Sequence, residues 1–152
     1  FKQYNWKKRI KYNMVNLFNS TEDIGLTKHD AYGKNNFEIQ LSSRERAIME
    51  TLYYVPKNQD FTECKLLMEG LTTLRPKLVQ TLLENCQSVK VKRLFMFLAE
   101  ECNHQWVNKI DLQNVDFGKG KRMIEKGGFY NTKYKISIPE IQDDEGSDRS
   151  DL

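Results

Sequence analysis

The stretch "EGLTTLRPKLVQTLLENCQSVKVKRLFMFLAEE", residues 69–101, decides the fold because it contains two successive helical patterns. Pro76 is tolerated in the first turn of a helix, and Ser88 is a residue type that favours a helix N-cap. We therefore predict one helix with Pro76 in its first turn and a second from Ser88 to about His104. Their inward faces are predicted at Leu78, Val79, Leu82, Leu83 and Cys86, and at Val91, Leu94, Phe95, Leu98 and Cys102.

Phe97 lies outside the apolar stripe of the second helix, between Lys90 and Arg93 on one side of the helix. In one interpretation the helix is covered on both sides, so that Phe97 is core and the cations extend their stems along it. In the other, an aromatic beside cations forms a contact surface for a protein or a nucleotide base. The candidate interaction face comprises Lys90, Arg93 and Phe97, extended by Lys92, Arg75 and Lys77 if the two helices lie side by side.

Capping patterns predict two further helices upstream. Ser42 with Glu45, and Asp60 with Glu63, have the spacing of a capping box. Gly70 is expected to end the second of these helices in a left-handed conformation. The predicted stripes are Ala47, Ile48, Leu52 and Val55, ended by Pro56, and then Cys64, Leu67 and Met68; Thr72 or Thr73 is expected to cap the helix that follows.

Alternating patterns predict strands on both sides of the helices. "RIKYNMVNLF" has the period of a half-buried strand, and "IGLTKHDAYGKNNFEIQLSS" is typical of a hairpin. The inward positions are predicted at Ile10, Tyr12 and Met14 and at Phe37, Ile39 and Leu41, with the turn at Gly33, Asn35 and Asn36.

After Trp106 the glycines of "DFGKGKRMIEKGGF" and the alternation of Tyr134, Ile136 and Ile138 predict a final hairpin or meander. The fold class is therefore α+β, with an N-terminal hairpin, a central cluster of four short helices and C-terminal strands.

Charge is unevenly distributed along the 152 residues. The last 13 residues contain six acids and one Arg, so residues 1–139 carry 23 of the 24 cations and 15 of the 21 acids. We expect one domain over 1–139 and a disordered acidic tail over 140–152. A basic body favours an anionic partner, and its secondary basic patches are Lys7, Lys8 and Arg9, and Lys119, Lys121 and Arg122.

Catalytic and metal-binding patterns are weak. His29 and His104 stand alone, and Glu100 and Glu101 are adjacent and so face different ways on a helix. "GKGKR" lacks the spacing of a nucleotide-binding loop. We therefore expect no enzyme activity, cofactor or metal.

Three widely spaced cysteines, Cys64, Cys86 and Cys102, indicate core thiols in a reducing compartment, and we expect a cytoplasmic location. No apolar run approaches the roughly 18 residues of a membrane span. The chain begins at Phe1 without a signal-peptide pattern, so we expect a fragment of a longer protein.

The segments "SSRERAIMETLYYVP", "LLMEGLTTLRPKLVQTLLENCQSVKVKRLFMFLAEECNHQW", "DFGKGKR" and "KYKISIP", in that order, resemble the C-terminal part of AbiEi-family antitoxins of bacterial abortive-infection systems. The resemblance extends from about Ser42 to Pro139. It implies phage defence by a domain that counteracts an AbiEii-type nucleotidyltransferase toxin, without a stable complex being required.

The resemblance also implies a transcriptional regulator whose N-terminal winged helix binds the operon's own promoter. This sequence has no such helix pair before Ser42, so DNA contact is expected mainly through a domain that the fragment lacks. The alternative is a basic domain that binds or processes nucleic acid.

Overall fold

A computed structural model describes residue 13 and residues 15–20, 22–31 and 37–140. The strands are β1 (Leu26–Ala31), β2 (Phe37–Ser42), β3 (Arg122–Met123), β4 (Phe129–Asn131) and β5 (Ile136–Ile138). The helices are α1 (Arg44–Tyr53), α2 (Phe61–Gly70), α3 (Pro76–Asn85) and α4 (Val89–Glu101), followed by 3₁₀ turns at Gln105–Lys109 and Leu112–Asn114. The α+β prediction is confirmed. No described helix has the length and apolar character needed to cross a membrane.

Helix α4 is the centre of the molecule. Every residue from Val91 to Ala99 is buried, and the helix packs against α1, α2 and the first 3₁₀ turn. Ser88 caps it as predicted, accepting a hydrogen bond from the Val91 amide at 3.2 Å. The helix ends at Glu101 rather than His104. A helix whose whole circumference is covered needs apolar residues on all sides, which explains its excess of large side chains.

The predicted start of α1 is wrong by one residue. Ser43 is the N-cap and accepts from the Arg46 amide at 3.4 Å, whereas the Ser42 hydroxyl donates to Glu50 Oε2 at 2.7 Å. Glu45 does not complete a capping box, because its carboxylate is buried against Arg75.

The cap of α2 is confirmed at Asp60, which accepts from the Glu63 amide at 3.0 Å. The predicted left-handed cap at Gly70 is wrong, because Gly70 is the last residue of α2 and the C-cap, Leu71, has a φ of −91°. The predicted threonine cap of α3 is also wrong: Arg75 is the N-cap residue and contributes no side-chain cap. Pro76 opens the helix as predicted.

Most predicted inward positions are buried, with three clear exceptions. Ile39, Leu41 and Leu67 are 42%, 47% and 52% exposed. Helix α2 contacts the core through Phe61, Cys64 and Met68, which leaves Leu67 on the outer side. The two strands of the β1–β2 hairpin pair as predicted, but no described layer covers the side that carries Ile39 and Leu41. Ala47, Leu78 and Cys102 are partly buried.

Several predicted positions lie outside the part of the chain that the structure describes. They are Ile10, Tyr12 and Met14 of the first predicted strand, Gly33, Asn35 and Asn36 of the turn, and the side chain of Phe37.

The C-terminal strands form a sheet in the order β3-β5-β4. Strands β4 and β5 are the predicted hairpin, but a meander is wrong because β3 lies on the other edge of β5 and runs parallel to it. The predicted alternation is confirmed, since Tyr134, Ile136 and Ile138 are all buried. Gly128 lets the chain pass close to β5, because a Cβ there would lie 1.8 Å from the carbonyl oxygen of Ile138.

Candidate interaction surfaces

The exposed face predicted on α4 is wrong for three of its residues. Phe97, Arg93 and Lys92 are 4%, 1% and 5% exposed. The segment that follows the first 3₁₀ turn covers the side of α4 that turns away from the other helices, and Arg93 is hydrogen-bonded to it. A partner cannot reach Arg93 without displacing that segment, and Lys92 and Phe97 are buried as well.

Arg93 joins α4 to the C-terminal segment. Its Nε donates to the carbonyl oxygen of Phe117 at 2.9 Å, and its Nη1 donates to those of Gly120 and Lys135 at 2.8 and 3.0 Å. Among the described residues no carboxylate forms a salt bridge with Arg93. Burial lowers the pKa of Arg93, and the nearby cation of Arg122 lowers it further. The guanidinium is therefore a structural clamp made of carbonyl contacts.

Lys90 is also engaged within the molecule. Its ammonium group donates to the carbonyl oxygen of Tyr53, the last residue of α1, and to that of Val55 just after it. The same group lies 5.3 Å from the centroid of the Tyr53 ring. A cation at a helix C-terminus satisfies free carbonyls and is stabilised by the helix dipole. Partial burial lowers the pKa of Lys90. Lys90 belongs to α4 but therefore stabilises the C-terminal end of α1.

The Arg75 guanidinium is exposed to solvent, but it is already paired with the Glu45 carboxylate. Its Nε and Nη2 lie 3.0 and 3.1 Å from Glu45 Oε1 and Oε2, and its backbone amide donates to Oε1 at 3.0 Å. The Arg75 side chain is 62% exposed and that of Glu45 only 1%. Burial alone would raise the pKa of Glu45, but the hydrogen bonds from Arg75 outweigh it and lower the pKa to about 2. The pair fastens the start of α3 to α1.

An open groove of about 1040 Å³ runs along the outer side of α3. Lys77 lines it from α3, and Lys109 and Asp111 line it from the 3₁₀ region. Gln80 holds the two walls together, since its amide donates to the Asp111 carbonyl at 2.9 Å and accepts from the Asp111 amide at 2.8 Å. Neither Lys77 nor Lys109 forms a salt bridge with another described residue.

The groove combines predicted and unpredicted residues. Arg75 and Lys77 were predicted from the sequence, and the structure places both on its wall. Lys109 was missed because it lies 32 positions from Lys77 along the chain and belongs to no periodic pattern. Only the folding of the 3₁₀ region onto α3 brings it there.

The second basic patch is exposed on the C-terminal sheet. Lys119, Lys121 and Arg122 all face solvent, and Lys121 Nζ lies 5.3 Å from the centroid of the Tyr130 ring. The other patch, Lys7, Lys8 and Arg9, lies outside the described residues.

The remaining titratable groups do not converge on a reactive centre. The ring Nε2 of buried His104 donates to the Met68 carbonyl at 2.7 Å, which fixes its tautomer. Burial raises the pKa of the Cys64 thiol to about 11 and also raises that of Cys86, so both are poor nucleophiles. Within the described ranges no three His, Cys, Asp or Glu residues lie together as metal ligands would.

Comparison with known proteins identifies the family. No curated protein and no solved structure matches the chain significantly. The family model AbiEi_3, described as "Transcriptional regulator, AbiEi antitoxin, Type IV TA system", matches residues 1–139. The match covers nearly the whole chain, so the protein belongs to the AbiEi_3 family of type IV antitoxins and transcriptional regulators.

Proposed function

We propose that this chain counteracts a cognate AbiEii-type nucleotidyltransferase toxin in the cytoplasm of a bacterium, as part of abortive infection by phage. The observation that carries the proposal is the antitoxin family match over residues 1–139. We take the same range as a single antitoxin domain followed by an acidic tail.

We further propose that the domain acts by contact and without catalysis of its own. The buried thiols have raised pKa values, which keep them in the poorly nucleophilic protonated form. The α3 groove offers a contact site instead. Of the six residues of the candidate interaction face, Arg75 and Lys77 line this groove, where Lys109 adds a third cation. Lys77 and Lys109 are exposed, so they suit an acidic surface of the toxin.

Growth rescue tests this function. Co-expression of residues 1–152 with the cognate toxin is expected to restore growth, whereas continued toxicity with soluble domain present would contradict the proposal. The double variant Lys77→Glu with Lys109→Glu should keep its fold, because exposed charges usually change stability by less than about 0.5 kcal/mol. It should nevertheless lose rescue.

A matched control carries the same change of charge elsewhere. Lys57 and Lys126 are exposed and do not line the groove, so Lys57→Glu with Lys126→Glu should rescue growth fully. Equal rescue by both double variants would exclude the groove as the contact site while leaving the antitoxin function intact.

A further inference from the structure

The outer side of the C-terminal sheet is unlike the side that faces the core. Met123 on β3 lies opposite Ser137 on β5, and Ser137 lies opposite Tyr130 on β4. Residues at matched positions of neighbouring strands point to the same side of a sheet. Ile136 and Ile138 are buried on the core side, so Met123, Ser137 and Tyr130 share the outer side.

These three residues form a slot of molecular size. Met123 and Tyr130 stand on the two edge strands, and neighbouring strands are about 4.8 Å apart, so their backbones are separated by about 9.6 Å. Between them Ser137 has only a short side chain. One flat aromatic ring needs about 3.5 to 4 Å on each side to touch its neighbours. The span therefore accommodates one ring standing on Ser137, with Met123 65% exposed beside it.

Two cations that face solvent precede β3 in the chain. Lys119 and Lys121 are both exposed, and neither forms a salt bridge with another described residue. Lys121 reaches over the sheet, since its Nζ lies 5.3 Å from the centroid of the Tyr130 ring. A flat apolar slot with positive charge at its rim is complementary to a ring attached to an anion.

We propose that this sheet surface binds single-stranded nucleic acid. One base enters the slot between Met123 and Tyr130, where it displaces the Lys121 ammonium from the Tyr130 ring, and the Ser137 hydroxyl is available to its edge. The phosphates on either side of that base contact Lys119 and Lys121. A single strand suits the slot better than a duplex, because the faces of paired bases are already stacked and cannot receive a side chain. This site is separate from the α3 groove and does not depend on the toxin proposal.

Fluorescence anisotropy of the full chain with a labelled single strand of about 12 nucleotides tests the proposal. Both ssDNA and ssRNA of one mixed sequence are compared with the duplex of that sequence at low salt. The single strand should bind more tightly than the duplex. Tyr130→Ser and Met123→Ser should each weaken this binding about tenfold, a loss in the range of one base stack.

The charged residues have a different signature. Lys119→Gln and Lys121→Gln should each lower the slope of log K against log salt by about 0.7, the value for one phosphate contact of a single strand. Lys57→Gln and Leu67→Ser, at an exposed cation and an exposed apolar residue away from the sheet, are the matched controls and should bind as the wild type does. Thermal unfolding of every variant shows that the sheet is intact.

Three results would overturn the proposal: no binding to the single strand at low salt, equal or tighter binding to the duplex, or full affinity in folded Tyr130→Ser and Met123→Ser. Loss of affinity in the charged variants alone would indicate non-specific attraction to phosphate and would also reject the slot. Failure of the growth rescue experiment would leave each of these outcomes unchanged, so the two proposals fail separately.

Discussion

Replacing Glu45 by Gln should remove an acid-sensitive part of the protein's stability. The carboxylate is almost fully buried and receives three hydrogen bonds from Arg75, which lower its pKa from 4.5 to about 2. One pKa unit is worth about 1.4 kcal/mol, so the ionised form of Glu45 contributes about 3 kcal/mol to folding. This contribution is fully present above about pH 4.5 and is lost as the pH falls towards 2.

Urea unfolding followed by circular dichroism measures the effect. Near pH 7 the Glu45→Gln variant should be less stable than the wild type by up to about 3 kcal/mol, since the amide is neutral and pairs less well with the guanidinium. Near pH 2.5 the wild type has lost most of this contribution, so the two curves should approach each other. Glu84→Gln, at an exposed position of α3, controls for the loss of one charge.

A constant difference in stability between wild type and Glu45→Gln from about pH 7 to about pH 2.5 would contradict this account of Glu45. Such a result would mean that Glu45 titrates alike in the folded and unfolded chains. Arg75→Lys adds a further check, because Lys keeps the charge but cannot form the two-pronged contact with the carboxylate. It should raise the pKa of Glu45 and move the acid-induced loss to higher pH.

Two other substitutions address the predicted face on α4. Phe97→Ala should destabilise the fold by about 3 to 5 kcal/mol, because the ring is 4% exposed and its removal leaves a cavity; thermal unfolding measures this, and an unchanged midpoint would contradict burial. Arg93→Met should cost roughly 2 to 4 kcal/mol, since three carbonyl oxygens lose a charged donor. Hydrogen exchange should then increase at the amides of residues 117–124, and unchanged protection there would show that Arg93 does not hold the segment.

Local patterns in the sequence predicted much of the helical framework. The Ser88 and Asp60 caps and the position of Pro76 depend on neighbours within a few residues, so the sequence contains the information needed. The threonine and glycine signals failed where distant side chains bind the backbone at the helix ends. At the start of α3 the Glu45 carboxylate accepts from the Arg75 amide, 30 positions away in the chain. At the end of α2 the carbonyls of Met68 and Leu71 accept from the side chains of His104 and Trp106.

The candidate sites were harder to predict, because the exposure of a side chain depends on which other parts of the chain pack over it. The helical period could separate Phe97 from the main stripe of α4, but it could not show that the C-terminal segment covers that side. Likewise, the sequence identified Lys77 and Lys121 as candidate contact residues. It did not show that Lys109 lies in the same groove as Lys77, or that a slot lies beside Lys121.

Local patterns in the sequence predicted the α+β class, the helix caps at Asp60 and Ser88, the basic body and the antitoxin family. Composition, capping and period act over a few residues, and the order of motifs is preserved in the linear chain. Which cations remain accessible depends on tertiary contacts. Arg93 and Lys90 donate to backbone carbonyls, and Arg75 pairs with Glu45. Lys77, Lys109 and Lys121 are exposed at the surface. A charged side chain becomes a contact residue only when folding leaves it without an internal partner, and partners distant in sequence come together only in the folded chain.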